Sequence, residues 1–148
     1  MRKIGLDVGD KTIGIAVSDL LDITAQGVTT IERVGIRKDT TKVLGLVREY
    51  ECDTIVVGLP LGLDGTDSIQ AEKVREFRTM LENKLRSSGL AHVKLVWQDE
   101  RFTTKLAENI LIAGDVKRGD RKKVIDKQAA IIILQSYLDR VSNEQDTN

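Results

Sequence analysis

The sequence contains few of the residues that stabilise disulfide-rich or metal-thiolate proteins. Its 148 residues include one cysteine, one proline and one histidine, and aromatic residues make up only 3%. A single cysteine excludes an internal disulfide and any metal site built on paired cysteines, and it is typical of a reducing compartment. We therefore expect a folded domain that does not depend on sulfur chemistry.

Net charge and long hydrophobic runs are also missing. The formal net charge is zero, so binding to a polyanion would need a local basic patch. No run approaches the roughly 20 apolar residues of a membrane span, and the apolar stretch after Lys3 is interrupted by Asp7, unlike a signal peptide. We expect a cytoplasmic protein with no membrane partner. Its composition, 41% hydrophobic and 31% charged, fits one domain at residues 1–141, with a disordered tail at 142–148.

Hydrophobic periodicity predicts an α/β fold. Alternating or continuous apolar residues predict five strands, at residues 4–8, 13–17, 27–32, 54–58 and 93–97. Apolar residues at helical spacing predict helices at residues 40–51, from 68 onward, after 104 and over about 124–141. This order predicts a mixed five-stranded sheet, with three antiparallel strands followed by two parallel ones, flanked by helices.

Asp7 is a carboxylate in the middle of the first predicted strand. Gly5 and Gly9 lie beside it on the same face, and the facing strand offers Gly14 and Ala16, so the neighbouring side chains leave space around it. An unpaired carboxylate in a central strand costs several kcal/mol, so Asp7 must have a partner. That partner is a backbone group, a lysine or a bound ion, and spacing alone does not decide among them.

Two other acidic residues have unusual surroundings. Asp126 begins the apolar stripe of the last predicted helix, although an Asp in a first helical turn is also stabilised by roughly 0.3 to 1 kcal/mol without any function. Glu100 comes just after the strand that ends at Trp97, at the carboxyl end where ligands bind in parallel sheets.

Convergence of Asp7, Glu100 and Asp126 would predict a metal site. Three carboxylates repel one another, and hard cations such as Mg²⁺ or Mn²⁺, which prefer oxygen ligands, would hold them ionised. Two such ions about 4 Å apart activate a water and stabilise the leaving oxygen in phosphodiester hydrolysis. This chemistry needs no histidine base, so His92 is interpreted as a surface residue.

Residues near these acids are candidates for contact with a phosphate backbone. Arg101 and a helix N-terminus at Thr103 or Thr104 could receive a phosphate, or they could serve as an ion-pair partner and as helix caps. A flexible basic loop before the last helix suits nucleic acid, and otherwise it is a solvated charge run. Its basic residues are Lys117, Arg118, Arg121, Lys122 and Lys123. Trp97 could stack on a base, but core packing is the favoured interpretation.

Four stretches together resemble the YqgF/RuvX family across nearly the whole chain. They are DVGDKTIGIAVSD, VGLPLGLDGT, DERFTT and IDKQAAIIILQSYL. The resemblance implies a ribonuclease H-like fold close to that of the resolvase RuvC. It also implies a metal-dependent nuclease, linked to processing of the 5′ end of pre-16S ribosomal RNA, with resolution of Holliday junctions in DNA as an older proposal.

Matched by motif, the three acidic positions of the family fall on Asp7, Glu100 and Asp126. RuvC-like relatives usually carry the middle acid at the end of the fourth strand, where this chain has Gly58-Leu59-Pro60, so here the acid belongs to the neighbouring strand. Gly62 and Thr12 also depart from the residues common in the family, which affects loop detail and not the acids.

Two other classes of function fit parts of the sequence. An Asp-x-Gly strand before a turn also occurs in actin-like sugar kinases, but those proteins need two such domains and 148 residues supply one. A non-catalytic RNA-binding module of ribosome assembly would keep the fold and use the acids only for structure. The expected partner is RNA, with structured DNA as the alternative.

Overall fold

The computed structural model describes residues 1–60, 69–99 and 118–146, and the side chains of residues 1–60, 69–99 and 127–144. Its strands are β1 (Arg2–Val8), β2 (Thr12–Ser18), β3 (Ala25–Glu32), β4 (Cys52–Leu59) and β5 (Lys94–Asp99). Its helices are α1 (Ile36–Glu49), α2 (Ile69–Ser87) and α3 (Arg118–Asp146). Within these ranges no helix is both long and apolar enough to cross a bilayer.

The five strands form one mixed sheet in the order β3-β2-β1-β4-β5. β1, β2 and β3 are antiparallel neighbours, whereas β4 and β5 run parallel to β1. β1 therefore lies at the centre, where Leu6 pairs with Ile15 on one side and with Val57 on the other. The mixed sheet predicted from the sequence is confirmed.

Helices cover both faces of this sheet, so its apolar residues form two clusters. The larger cluster packs against α1 and α2 and includes Leu6, Ile15 and Phe77, with Trp97 at its border. The favoured interpretation of Trp97 as a core residue is confirmed. The smaller cluster joins Val56 and other sheet residues to Leu134 and its neighbours on α3.

A glycine in β1 allows α3 to lie directly on the centre of the sheet. A Cβ atom added to Gly5 would stand 2.7 Å from the Leu134 Cβ and 3.2 Å from the Ala130 carbonyl oxygen. Both distances are shorter than an ordinary contact, so any side chain at this position would push the helix away. Gly5 thus sets the distance between β1 and α3.

Helix α1 begins earlier than the periodicity predicts because Asp39 organises its first turn. The Asp39 carboxylate is fully buried and accepts hydrogen bonds from the Val34 and Gly35 backbone N–H groups and from the Arg33 guanidinium. Burial by itself would raise the pKa of Asp39, but these hydrogen bonds and the Arg33 charge hold the pKa below its ordinary value of 3.8. Residues 36–39, which the spacing of apolar residues does not identify as helical, therefore form the first turn of α1.

Helix α3 is longer at both ends than predicted. It begins at Arg118, so the basic segment expected as a flexible loop is helical from Arg118 onward. The prediction of a loop is wrong because it rests on the polarity of these residues, whereas arginine and lysine are also good helix formers. At the other end, residues 142–146 continue the helix where the sequence analysis expects an unstructured tail.

Replacing Gly5 by alanine tests the close approach of α3. We expect Gly5→Ala to lower the free energy of unfolding by about 1–3 kcal/mol, because the added methyl group overpacks the contact with Leu134. Gly45→Ala is the matched control, since a Cβ at that position of α1 would meet no atom within 4 Å apart from its chain neighbours and the nearby backbone of its own helix. Urea denaturation should show the control to be unchanged or up to about 1 kcal/mol more stable. Equal stabilities for the two variants would contradict the packing argument.

Acid titration tests the buried Asp39 carboxylate. Its pKa is lower in the folded protein, so it stabilises the fold above the unfolded value near 3.8, and this contribution disappears as the pH falls through the lower folded value. Asp39→Asn should lower the unfolding free energy at pH 7 by roughly 1.5–3 kcal/mol and flatten the loss of stability below about pH 4. Denaturation across pH 2–7 measures both effects, with the exposed Asp139→Asn as control. An unchanged pH profile would argue against the proposed role of the carboxylate.

Candidate functional site

Asp7 lies near the carboxyl end of the central strand, on the face that α3 covers. Its side chain lies on the face where Gly5, two residues earlier, contacts α3, because successive residues of a strand alternate between the two faces. It is half-buried and pairs with Gly14 across β2. The parallel pairing of Leu6 with Val57, continued by one residue, brings Gly58 beside it on β4. As expected from the sequence for β2, and on β4 as well, the residue beside this carboxylate is a glycine and contributes no side chain.

Helix α3 runs antiparallel to β1 along this face. Leu138 shares a cavity with Lys3, near the start of β1, and Leu134 and Ala130 lie at Gly5. Residue 126 comes one turn earlier, with its Cα about 6 Å further along the helix axis. Asp7 lies about 6.6 Å beyond Gly5 along the strand in the same direction. The backbone thus leads residue 126 toward the Asp7 end of the sheet.

The start of α3 at Arg118 changes the explanation for Asp126. The helix dipole stabilises a carboxylate only within the first turn of a helix. A helix that begins near residue 124, as predicted from the sequence, would place Asp126 in that turn. Residue 126 instead lies about two turns inside α3. A favourable position at a helix terminus therefore does not account for Asp126.

The other predicted site residues fall where less of the structure is described. The described part of the chain stops at Asp99, the end of β5, and resumes at Arg118. Five predicted site residues lie in the gap: Glu100, Arg101, Thr103, Thr104 and Lys117. For five other residues the structure describes the backbone, which belongs to α3, but not the side chain: Arg118, Arg121, Lys122, Lys123 and Asp126. Among the described side chains, no three His, Cys, Asp or Glu residues come together as metal ligands. Glu100 and Asp126, two of the three expected ligands, do not belong to that set.

The softer metal ligands of the chain lie at the opposite end of the sheet. Cys52 begins β4 and His92 precedes β5, whereas Asp7 is near the end of the parallel strand β1. Cys52 is buried, and burial raises the pKa of its thiol to about 11, so the thiol stays neutral. His92 is exposed, as expected. The Asp7 end therefore offers oxygen donors, which suit Mg²⁺ or Mn²⁺ better than zinc or copper.

An ion-pair network closes the amino end of the parallel strands. The Lys3 ammonium lies 2.9 Å from Asp53 and 3.1 Å from Asp22. Burial would lower the pKa of Lys3, yet the bonds to these two carboxylates hold it above its ordinary value. The adjoining cavity of about 550 Å³ lies at this end, away from the carboxyl edge where parallel sheets bind ligands. We interpret the network as structural.

Two side chains far away in the sequence contact the turn after Asp7. Gln70 on α2 donates a hydrogen bond to the Val8 carbonyl oxygen at 3.2 Å, and Arg33 donates one to the Gly9 carbonyl oxygen at 3.0 Å. The donors are 62 and 24 residues from their acceptors, and both acceptors are backbone groups. No local sequence signal could have revealed these contacts.

Comparison with known proteins adds an independent line of evidence. The profile of the family described as "RuvX: Holliday junction resolvase" matches residues 1–140. A Heliobacterium modesticaldum protein named "Putative pre-16S rRNA nuclease" is 49% identical over 139 residues, which cover 94% of this chain and 89% of the relative. A Clostridium tetani protein of the same name is 47% identical, over 97% of this chain and 100% of its own length.

Solved structures with similar folds are resolvases of low sequence identity. Thermus thermophilus RuvC, solved with a Holliday junction substrate, superposes with a TM-score of 0.59 at 14% identity, covering 96% of each chain. The Fowlpox virus resolvase, solved with Holliday junction DNA, gives 0.61 at 13% identity and covers 95% of this chain and 99% of its own. These likenesses confirm the ribonuclease H-like fold that the sequence motifs imply.

Proposed function

This chain belongs to the RuvX family, and from that premise we propose that it is a metal-dependent nuclease that hydrolyses phosphodiester bonds in structured RNA, with pre-16S ribosomal RNA as its substrate. The observation that supports this most directly is the position of Asp7. Its carboxylate is near the carboxyl end of the central strand, between glycines on both neighbouring strands, and α3 leads the backbone of Asp126 toward it.

The proposed active site consists of Asp7, Glu100 and Asp126. All three offer carboxylate oxygens, and each has a separate place in the chain, on β1, just beyond β5 and on α3. When bound there, two divalent cations would supply an activated water and stabilise the leaving oxygen. The three carboxylates would stay ionised beside the cations, and no histidine or cysteine takes part.

The glycines around Asp7 have a steric role in this proposal. Gly14 and Gly58 carry no side chain, so neither neighbouring strand places a side chain between the carboxylate and an approaching phosphodiester group. The central strand is hydrogen-bonded on both sides, which holds the Asp7 backbone rigid. Asp7 can then orient the reacting phosphate without moving itself, as efficient positioning requires.

The basic start of α3 is the proposed contact with the nucleic-acid backbone. Arg118, Arg121, Lys122 and Lys123 precede Asp126 on the same helix, so phosphates bound by them would lie near the acids. In this proposal Lys117, Arg101, Thr103 and Thr104 contribute further phosphate contacts. A helix holds these charges at fixed spacing along its axis, which the flexible loop expected from the sequence would not.

RNA is favoured over a DNA junction by the degree of similarity. The relatives named for pre-16S rRNA are 44–49% identical to this chain, whereas the resolvases solved with junction DNA are 13–14% identical and inform only about the fold. Resolution of Holliday junctions is the second candidate, because the family description and these structures name it.

Asp7→Asn tests the proposed chemistry. We expect Mn²⁺-dependent cleavage of a precursor containing the 5′ end of 16S rRNA to fall by at least about 1,000-fold, because one metal-binding carboxylate is lost. Gel analysis of end-labelled RNA measures the rate, and a four-way DNA junction assayed in parallel tests the second candidate. Circular dichroism and thermal unfolding establish that the variant is folded.

The control for this experiment is Asp139→Asn, an exposed carboxylate further along α3 that should retain full activity. Cleavage by folded Asp7→Asn at the wild-type rate would refute the metal-site proposal. Binding of RNA by the wild-type protein without cleavage of either substrate would favour the non-catalytic module instead.

Neutralising Lys122 and Lys123 tests the proposed phosphate contacts. The double change Lys122→Gln and Lys123→Gln should weaken RNA binding and reduce the slope of log K against log salt by about 1 to 2, because up to two fewer counterions are released. Fluorescence anisotropy between 50 and 300 mM KCl gives both quantities. The matched control is Lys38→Gln with Lys42→Gln, two exposed lysines of α1 on the other side of the sheet. An unchanged salt slope would remove the start of α3 from the binding surface.

A further inference from the structure

The turn that follows Asp7 lacks the backbone geometry that usually stabilises a short hairpin. Gly9, Asp10 and Lys11 connect β1 to β2, and none of them has a positive φ angle. Short hairpin loops normally include a residue with positive φ, because that conformation matches the twist of the two strands. A hydrogen bond of 2.9 Å from the Gly9 N–H to the Thr12 carbonyl closes the turn. Contacts from outside the turn can therefore add to the stability of this conformation.

Two side chains distant in sequence supply such contacts to the backbone. The Arg33 Nη1 donates to the Gly9 carbonyl oxygen at 3.0 Å, and the Gln70 Nε2 donates to the Val8 carbonyl oxygen at 3.2 Å. The Arg33 backbone N–H also donates to the Lys11 carbonyl oxygen at 2.9 Å. These bonds hold Val8, Gly9 and Lys11, all within four residues of Asp7. An exposed ion pair between Lys73 and Asp10 adds little.

Arg33 is itself held in a fixed orientation. Its Nε donates to the Asp39 carboxylate at 3.1 Å, and Asp39 is fully buried at the start of α1. Its guanidinium carbon lies 5.3 Å from the centre of the Phe77 ring on α2, a cation–π distance. The planar guanidinium thus connects the hairpin turn to both helices on that side of the sheet, with one nitrogen on Asp39 and another on Gly9. Lysine carries its three donors on a single nitrogen, so it does not reproduce the two-nitrogen geometry that joins Asp39 to the Gly9 carbonyl.

We propose that Arg33 is a positioning residue for the Asp7 carboxylate. It fixes the β1–β2 turn against α1 and α2, and Gln70 supports the same turn from α2. The inference rests on the proposed function, because positioning matters for a carboxylate that must hold metal ions and phosphate within a fraction of an ångström. Neither Arg33 nor Gln70 touches the substrate in this proposal, and both lie on the face of the sheet opposite α3.

Arg33→Lys is the variant that separates positioning from charge. Its ammonium should remain at Asp39, because a bond to a carboxylate is stronger than a bond to a carbonyl, so the Gly9 contact is lost while Asp39 keeps a cation. We expect kcat to fall about 10- to 100-fold with KM within about twofold, and the Mn²⁺ concentration for half-maximal rate to rise. Hydrogen exchange at the Gly9 amide should accelerate by at least about tenfold. Arg37→Lys, exposed on α1, is the control that should leave all four quantities unchanged.

Gln70→Leu provides a second variant that leaves Asp39 and its partners intact. It removes the bond to Val8, and we expect a smaller fall in kcat, about three- to tenfold, with faster exchange in the same turn. It keeps the inference testable if Arg33→Lys proves too unstable to assay.

Three results distinguish the inference from the proposed function. Wild-type exchange rates and kcat in both variants would overturn the inference and leave the nuclease proposal standing. Faster exchange without loss of kcat would overturn the positioning role. The third result combines faster exchange confined to the turn in the variants with a wild-type protein that cleaves neither RNA nor junction DNA. It would support the stabilisation of the turn by Arg33 and Gln70 and overturn the proposed function.

Discussion

The contact between Gly5 and α3 is the constraint on which the candidate site depends. A strand hydrogen-bonded on both sides forms the centre of the sheet, and α3 can lie on it only because Gly5 has no side chain. This contact sets both the height and the register of the helix above β1. A shift of one helical residue would rotate every α3 side chain by about 100° and would change which of them lies toward Asp7.

The two ends of the sheet face that α3 covers differ in the residues that surround their charged side chains. At the amino end of the parallel strands, Lys3 is held between Asp22 and Asp53, and charges of opposite sign satisfy one another. At the carboxyl end, Asp7 is flanked by Gly14 and, by register, Gly58, which place no side chains beside the carboxylate. Ion pairing stabilises the first end, and the second is where we propose that divalent cations bind.

Much of the fold and the first site residue could be predicted from local sequence. The alternation of large apolar residues with small ones around Ile4 to Val17 has a period of two, which is typical of a strand, and an acid within it is conspicuous. The limits of α1 and α3 could not be predicted in this way. Asp39 organises a helix start through bonds to Arg33, Val34 and Gly35, and the basic residues from Arg118 onward have loop-like polarity but good helix propensity.

The sequence by itself determined the order of the described strands and helices along the chain, the oxygen chemistry of the candidate ligands and, through its motifs, the family. Those properties follow from residue type and short-range spacing. Only the tertiary structure decided that α3 runs antiparallel to β1 toward Asp7, and that Arg33 donates a hydrogen bond to the turn beside Asp7. Each of these depends on contacts between residues far apart in the chain, often with backbone carbonyls that have the same chemistry at every position, so no local pattern records them.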